Sequence, residues 1–366
     1  MVALTVLDYA WLSFMLLPVV ATLLPLIKHD HWVFRIFDFP RLQIAIVSLI
    51  CLPINAIFAS THHQAFWLLA LINGLCLIYQ ASQIIAYTRL RTPEVAIYHG
   101  TDDERTLSLL IANVLTDNRQ AHLLLEQIHH YQPDIVLTLE SDAWWQDHLD
   151  TLTAHDYHYT IKIPLDNLYG MHLYSRLELS DSEIRHWVAD DIPSIKSKLK
   201  LRSNEWVYIY CLHPMPPSPT ESATATDRDA ELLLVGREIE FMDEPVLVFG
   251  DLNDVAWSST SQLFQKISGL LDPRKGRGLF NTFHANYPLF RWPLDHIFHS
   301  HDFMVKDIQV LPNIGSDHFP VYGKFQYHPI ATLIQDEPEA DSDDIDEALD
   351  KIAKSEPNQE VVREKY

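Results

Sequence analysis

The sequence contains few cysteines and too few basic residues to balance its acidic ones. Only three cysteines occur among 366 residues, and Cys51, Cys76 and Cys211 lie far apart. Their odd number and wide spacing exclude a disulfide framework and a cysteine zinc site. Lys and Arg number 27 against 49 Asp and Glu, which gives a formal net charge of -22. A chain this acidic repels phosphate backbones unless its charges are strongly segregated.

Charged residues are also missing from three long apolar runs near the start of the chain. These runs cover about 9–27, 42–60 and 65–87, and none contains Asp, Glu, Lys or Arg. Each reaches the ~20 residues that a helix needs to cross a bilayer. No basic segment precedes the first run and no small-residue cleavage site follows it, unlike a signal peptide. We therefore expect residues 1–100 to form a three-helix transmembrane anchor, with three buried helices of a soluble domain as the alternative.

The orientation of this anchor depends on a small number of basic residues. The connection at 28–41 mixes aromatic residues with three basic ones, and Arg89 and Arg91 follow the third run. This composition is typical of a segment at the membrane interface. The positive-inside tendency favours an integral protein of the bacterial inner membrane with its large C-terminal domain in the cytoplasm. A periplasmic domain is the alternative.

Residues 101–330 carry the alternating pattern of an α/β domain. A buried-strand pattern at 106–115 is followed by a helical pattern at 117–132 and a second apolar strand at 134–140. This strand–helix–strand order, with many further strands and fewer helices, predicts a layered domain with a sheet core. A short helix is expected within 254–268. Further strand patterns lie at 206–213, 245–253, 293–300, 305–312 and 318–325.

The last part of the chain, 331–366, differs sharply in composition. Its segment 335–350 is densely acidic and has almost no apolar residues. Such a composition predicts a disordered tail or at most a short exposed helix.

Polar side chains that carry chemistry occur repeatedly at the ends of the expected strands. Loop ends at the rim of a rigid sheet are where catalytic groups are usually placed. One such residue would mean little, but five strands each supply an acid, an Asn or a His at this position. We expect these side chains to converge on one pocket. They are Asn113, Glu140, His213, Asp251, Asn253, Asp295, Asp317 and His318.

Six short motifs that contain these residues resemble a known superfamily. In chain order they are ANVL, DIVLTLE, LHPMPP, VFGDLND, PLDHIF and GSDHFPV. The series resembles the endonuclease/exonuclease/phosphatase superfamily, which includes deoxyribonucleases, sphingomyelinases and inositol polyphosphate phosphatases, and it covers roughly 101–328. The resemblance implies a four-layered α/β sandwich, in which two packed sheets are flanked by helices. It also implies hydrolysis of phosphate esters with Mg²⁺ or Mn²⁺.

The resemblance assigns metal and water chemistry to four residues. Glu140 looks like the main metal ligand, with Asn113 beside it, and these oxygen donors suit a hard cation such as Mg²⁺. Asp251 looks like the residue that orients or deprotonates the attacking water. Asn253 looks like a donor to the phosphoryl oxygens.

The same resemblance assigns a histidine pair and two further carboxylates. His213 and His318 are similar to the histidine pair of the nuclease and sphingomyelinase branches. Asp317 is expected to orient the ring of His318 and to favour its charged form. Asp295 is expected to tune the site near the leaving group or a second metal.

Three arginines are candidates for substrate binding. The segment DPRKGRG at 272–278 is a basic loop in an acidic chain, so Arg274 and Arg277 are expected to contact a substrate phosphate. Arg176 lies in a segment that also resembles the family, although a structural strand is the alternative there. The alternative for the basic loop is a solvated turn.

These observations together predict a membrane-anchored, metal-dependent phosphoric ester hydrolase. The expected partners are the lipid bilayer and a phosphate-ester substrate, which is a phospholipid, a small phosphodiester or phosphomonoester, or a nucleic acid. Two alternatives are an endonuclease or exonuclease acting on DNA or RNA, and a membrane scaffold that has lost its activity. Fold analogy alone does not choose among the substrates.

Overall fold

The computed structural model describes residues 4–58, 64–355 and 357. Within these residues, two helical segments, Val6–Leu26 and Gln64–Tyr87, are long and apolar enough to cross a membrane. A third span is present if Trp32–Asp38 and Arg41–Ile57, which meet at a 71° bend, count as one. The N-terminal helices are α1 (Val6–Leu23), α2 (Trp32–Arg35), α3 (Arg41–Phe58) and α4 (Gln64–Ile84).

Buried polar side chains hold these apolar helices together. Asn73 of α4 donates a hydrogen bond to the carbonyl oxygen of Met15 in α1 at 3.1 Å, and Gln80 donates to Thr22 at 3.0 Å. In an apolar environment such bonds satisfy groups that would otherwise be unpaired, and they fix the register of the helices. The helices α1, α3 and α4 therefore form one packed bundle.

The domain after the bundle contains two mixed sheets. The first has the order β10-β11-β1-β2-β4-β3, and the second has the order β5-β6-β7-β8-β9. Strands β1 and β2 run parallel in the first sheet, and β7 and β8 run parallel in the second. The strands are β1 (Thr106–Asn113), β2 (Ile135–Leu139), β3 (Tyr159–Ile163), β4 (Met171–Ser175), β5 (Leu179–Arg185), β6 (Ser194–Lys200), β7 (Trp206–Leu212), β8 (Val246–Asp251), β9 (Asp295–His299), β10 (Phe303–Val310) and β11 (Val321–Tyr327).

Side-chain alternation along the strands builds the layers. On β1, Leu107 and Leu109 point into the core between the sheets, where they join Phe249 of β8. The neighbouring Leu110 points to the other face and packs against helices, as Val248 does on the second sheet. The outer helices are α5 (Ala121–Tyr131), α6 (Ala143–Leu149), α7 (Thr226–Ile239) and α8 (Ser259–Ser268). The expected four-layered α/β sandwich is confirmed.

The acidic tail differs from its expected disorder. Ser342–Lys354 forms helix α9, which begins with a capping box between Asp341 and Asp344 and packs on α7 and α8. Ala348 is buried there, with Ile345 and Ile352 beside it. Three apolar residues at spacings of three and four are enough for one buried helix face, and the surrounding acids mask them in a composition count. Residues 356 and 358–366 lie outside the described part of the chain.

A buried ion cluster joins α9 to the rest of the molecule. Asp229 of α7 accepts hydrogen bonds from Lys351 of α9 at 2.7 Å, from Arg228 at 2.7 Å and from Arg35 of α2 at 3.2 Å. Burial alone would raise the pKa of Asp229, but these three cations hold it well below its usual value. One carboxylate therefore connects the tail helix, the outer helix layer and the segment that precedes α3.

We predict that Asp229→Asn destabilises the protein by about 3–5 kcal/mol, because three cations then lose their buried counter-charge. The free energy of unfolding of the full chain in detergent would be measured by denaturant titration with tryptophan fluorescence. Asp346→Asn is the matched control, since Asp346 is exposed on α9, and its effect should stay within about 0.5 kcal/mol. Equal losses in the two variants would contradict the role of the cluster.

Candidate active site

The predicted polar residues surround one pocket at the ends of the central strands. The pocket has a volume of about 690 Å³. The carboxyl ends of two parallel strand pairs, one from each sheet, meet at this edge, so side chains far apart in sequence come together. Asn113 and Asp295 lie directly behind the pocket, joined to it by hydrogen bonds. The predicted residues that line it are Glu140, His213, Asp251, Asn253, Asp317 and His318.

His318 lies between two carboxylates. Its Nδ1 donates to Asp295 Oδ2 at 2.8 Å, and its Nε2 lies 3.5 Å from Asp251 Oδ2. All three side chains are buried. Burial would lower the pKa of His318, but Asp295 and Asp251 outweigh it and raise the pKa to about 10. The ring is therefore a cationic hydrogen-bond donor at neutral pH.

The residue that orients His318 differs from the one predicted. Asp295 holds the ring, whereas the neighbouring Asp317 lines the pocket and accepts a bond from the amide of Ala285 through its backbone carbonyl. Adjacent residues in extended chain point to opposite sides, so Asp317 is poorly placed to reach the ring beside it. The assignment of Asp317 as the orienting group is corrected to Asp295.

Asp251 and Asn113 share a network with Glu140. Asn113 Nδ2 donates to Asp251 Oδ2 at 3.1 Å and to Glu140 Oε1 at 2.7 Å. The backbone amide of Asn253 donates to Asp251 Oδ1 at 2.9 Å. Both carboxylates are thereby fixed in orientation, and Asp251 reaches toward both histidines of the pocket.

Glu140 stands in a strained backbone conformation just after β2. Its φ of 56° lies in the left-handed region, and Thr116 Oγ1 donates to its carbonyl oxygen at 2.9 Å. Strain of this kind persists where the surroundings over-determine the chain and is common at functional sites. Burial raises the pKa of Glu140 to about 7, with partial offset from the Asn113 hydrogen bond. A cation beside this carboxylate would stabilise its charged form.

The donor chemistry at Glu140 fits a hard divalent cation. Glu140 offers a carboxylate and Asn113 offers an amide oxygen, the ligand class that Mg²⁺ prefers. That amide oxygen also accepts a hydrogen bond from the amide of Leu115 at 3.1 Å. Asp251, Asp295 and His318 also lie close enough together to suggest a metal group. That group fits less well, because the two ring nitrogens of His318 already face the two carboxylates, at 2.8 Å from Asp295 and 3.5 Å from Asp251. We therefore keep Glu140 and Asn113 as the candidate ligands.

His213 differs from His318 in its charge state. It is buried, its Nε2 lies 4.0 Å from Asp251 Oδ2, and its Nδ1 has no hydrogen-bond partner among the described residues. Burial lowers its pKa to about 4. The pocket therefore offers one neutral imidazole and one imidazolium.

Asn253 supports the loop that carries His213. Its φ is 50°, and its side-chain amide donates to the carbonyl oxygen of Pro214 at 2.9 Å. Its own carbonyl oxygen accepts from Arg228 at 2.9 Å. No sequence pattern indicates Arg228 as a supporting residue, because the helix α7 that carries it has no motif of its own.

The three predicted substrate-binding arginines lie outside the pocket. Arg176 pairs with Asp156 at 2.8 Å and lies over the ring of Tyr157. Arg274 is buried against Asp272 at 2.7 Å, and Arg277 donates to two backbone carbonyl oxygens. Their donors are used within the protein, so the expected phosphate contacts are corrected to structural ones. Arg274 also donates to the carbonyl oxygen of Asp295 at 3.3 Å and thereby supports the site from behind.

One wall of the pocket is not indicated by any sequence pattern. It lies beside the candidate catalytic residues and is formed by Trp32, Ile36, Phe37, Phe39 and Pro40, all from the connection at 28–41. Their aromatic content had indicated only a membrane interface, and no local pattern shows that this segment folds back onto a domain far along the chain.

Comparison with known proteins places the chain in a family. The model of the Endonuclease/Exonuclease/phosphatase family matches residues 110–318, and the chain belongs to this family, which includes metal-dependent phosphoesterases and nucleases. A search of curated proteins found no match.

Solved structures show the same fold at low sequence identity. D. rerio TDP2 complexed with single strand DNA product is 18% identical, with a TM-score of 0.50 over 60% of this chain and 99% of that chain. The human Nocturnin catalytic domain with bound sulfate anion is 18% identical, with a TM-score of 0.50 over 62% and 96%. An endonuclease/exonuclease/phosphatase from Beutenbergia cavernae is 18% identical, with a TM-score of 0.50 over 61% and 72%.

We predict that Asp295→Asn lowers turnover of a nitrophenyl phosphate ester by about 100-fold or more, because His318 loses the carboxylate that orients and charges it. Asp317→Asn is the matched comparison and should lose less than about tenfold. Histidine NMR of both variants would report the ring protons of His318 directly. A larger loss in Asp317→Asn, with the His318 signals altered there and not in Asp295→Asn, would restore the original assignment.

Proposed function

We propose that the protein is a membrane-anchored, metal-dependent phosphoesterase that hydrolyses a phosphodiester or phosphomonoester by in-line attack of water. The observation that carries this proposal is that a cationic His318 and Glu140 line one pocket. Asp251 lies 3.5 Å from His318 and is joined to Glu140 through Asn113. Phosphoryl transfer needs positive charge where negative charge grows and an acceptor for the proton of water. This pocket supplies both.

Glu140 and Asn113 would hold Mg²⁺ or Mn²⁺. When bound, such a cation supplies positive charge at the phosphoryl oxygens. Asn113 also orients both carboxylates through its amide nitrogen. Glu140 is held ready by its fixed backbone, so the ligand does not need to be reordered on binding.

The remaining residues position water and stabilise charge. Asp251 accepts the proton of the attacking water, since both of its oxygens are fixed by hydrogen bonds. His318 donates to a phosphoryl oxygen as charge develops, and Asp295 keeps the ring in place. The neutral His213 exchanges hydrogen bonds with the substrate beside Asp251, while Asn253 holds the loop that carries His213.

The two other hypotheses have less support. A scaffold without activity would not need a buried, charged histidine between two carboxylates. Burying these charges costs free energy, so we expect them to be retained where they have a role in function. A nuclease is consistent with the family and with the DNA product in the D. rerio TDP2 structure. The pocket of this chain differs in charge from a nucleic-acid site, because none of its described lining residues is Lys or Arg.

We predict that EDTA abolishes phosphoesterase activity of the full chain and that Mg²⁺ or Mn²⁺ restores it. Glu140→Gln should need a higher Mg²⁺ concentration for the same recovery, because it loses the main ligand charge. Asp251→Asn should stay inactive at any Mg²⁺ concentration while it remains folded. Activity that is indifferent to chelation, or near-normal turnover by Asp251→Asn, would contradict the proposal.

We further propose that the bundle is inserted in the inner membrane with the catalytic domain in the cytoplasm. The basic residues that follow the first and third apolar segments support this orientation. A fluorescent protein fused to the C-terminus should fluoresce, whereas an alkaline phosphatase fused there should be inactive. The reverse pair of results would place the domain in the periplasm.

A further inference from the structure

One wall of the active-site pocket comes from outside the family domain. The family match begins at residue 110, whereas Trp32, Ile36, Phe37 and Phe39 line the pocket together with Glu140. These residues belong to the segment 32–40, which we call the juxtamembrane wall because it leads directly into α3. The family's phosphate chemistry is thus combined with an apolar surface that this chain adds.

The juxtamembrane wall is fixed to the catalytic domain by several bonds. The amide of Trp32 donates to the carbonyl oxygen of Ala223 at 3.0 Å, and the amide of Ala225 donates to that of Asp30 at 2.8 Å. Trp257 Nε1 donates to the carbonyl oxygen of Asp38 at 2.7 Å. Strand-like pairing and a buried indole bond hold a segment in one position. The wall is therefore a built part of the pocket.

A second apolar surface of the pocket adjoins the juxtamembrane wall. Phe283, Phe290, Trp292 and Leu294 line it, and the ring of Trp292 meets the ring of Phe39 edge-on with centroids 5.7 Å apart. The loop after β7 adds three prolines at 216, 217 and 219. The polar groups Glu140, Asp251, His213 and His318 form one connected network through Asn113 and short contacts to Asp251. A ligand that fills this pocket has one polar end and an apolar body.

The charges of the pocket exclude a substrate with many phosphates. Among the described residues that line the pocket, none is Lys or Arg, and four are carboxylates, Glu140, Glu221, Asp251 and Asp317. A polynucleotide or polyphosphate carries several charges that would need cationic partners along its length. His318 is the single cation that faces this space among the lining residues. The pocket therefore suits one phosphate group only.

The mouth of the pocket lies beside a candidate membrane span. Gln43 of α3 donates to the carbonyl oxygen of Leu289 at 2.8 Å. Around this contact Tyr287, Leu289 and Phe290 are exposed by 58%, 77% and 55%. Large apolar side chains exposed next to an apolar helix are typical of a surface that contacts lipid. Phe290 belongs both to this surface and to the pocket.

We propose that the substrate is a lipid phosphate ester whose hydrocarbon part binds the juxtamembrane wall while its phosphate lies between His318 and Glu140. This proposal rests on the proposed phosphoesterase function and names its substrate class. Ile36 and Phe37 are the specificity-determining residues, since both are apolar and line the pocket from the juxtamembrane wall.

The test uses two water-soluble series with growing alkyl chains, from methyl to hexyl. One is alkyl 4-nitrophenyl phosphates, followed by nitrophenolate release, and the other is alkyl phosphates, followed by phosphate release. The full chain is assayed in nanodiscs with Mg²⁺. We expect kcat/KM to rise by up to about fourfold for each methylene that the pocket buries, and by at least about tenfold from methyl to hexyl.

The variants distinguish binding of the alkyl chain to the juxtamembrane wall from a general effect of substrate hydrophobicity. Ile36→Ser should reduce the hexyl-to-methyl ratio of kcat/KM severalfold, and Ile36→Ser with Phe37→Ser should reduce it further. Ile36→Leu should keep the ratio. Val33→Ser is the matched control, because Val33 lies in the same helical turn but does not line the pocket. Its ratio should equal that of the unaltered protein. Ile36 is 48% exposed, so a folded variant is expected.

Each outcome has a defined meaning. Turnover of the methyl ester with a flat chain-length series would overturn the lipid assignment and leave the phosphoesterase function standing. No turnover of any ester in either series would overturn the proposed function and the lipid assignment with it. A ratio lowered equally by Val33→Ser and Ile36→Ser would assign the effect to partition into the nanodisc. Faster hydrolysis of a single-stranded oligonucleotide than of the hexyl ester would favour a nuclease.

Discussion

The arrangement of the molecule depends on the buried carboxylate of Asp229. Arg35 precedes helix α3, Lys351 belongs to the tail helix, and Arg228 donates to the carbonyl oxygen of Asn253 after β8. All three meet at Asp229, while Asp38 also lies 3.7 Å from Arg35 and Asp254 lies 3.4 Å from Arg228. Charges out of water are costly unless the geometry is good, and removing Asp229 takes away the carboxylate that all three cations share. The position of the juxtamembrane wall against the active site is therefore set by an ion cluster with few alternative arrangements, and not by the length of a linker.

The active site uses burial in two opposite ways. His213 and His318 are both buried and both face Asp251, yet burial dominates at His213 and keeps it neutral, while the second carboxylate, Asp295, reverses the effect at His318. Because the two rings share one neighbour, the presence or absence of a single further carboxylate decides the charge state. A site that needs both a cation and a neutral imidazole next to one phosphate obtains them in this way without a lysine or arginine.

Much of the fold and the candidate site follows from local sequence patterns. Apolar strands ending in Glu140 or Asp251 can be recognised because period-two burial and a polar end are both properties of short segments. The hydrogen-bond and ion-pair partners of individual side chains could not be predicted. Asp317 is next to His318 in sequence, but Asp295 reaches its ring; Arg274 has a basic sequence neighbourhood, but Asp272 neutralises it. The packing of helix α9 could not be predicted from composition, because its few apolar residues are outnumbered by acidic ones.

The contact between α3 and the candidate active site bears on the proposed role of the N-terminal helices as an anchor. A tether attached by a free linker would only raise the concentration of the enzyme near a bilayer, and any phosphate ester could still diffuse in from water. Here Phe39 and Trp292 meet ring to ring inside the pocket, and Gln43 of α3 donates to the carbonyl oxygen of Leu289, next to the pocket residue Phe290. The apolar wall therefore connects the candidate catalytic groups directly to α3, which is part of a candidate membrane span. A substrate that stays partly in lipid while its phosphate reaches His318 avoids the cost of exposing its hydrocarbon part to water, and an entirely water-soluble ester gains nothing from the same path.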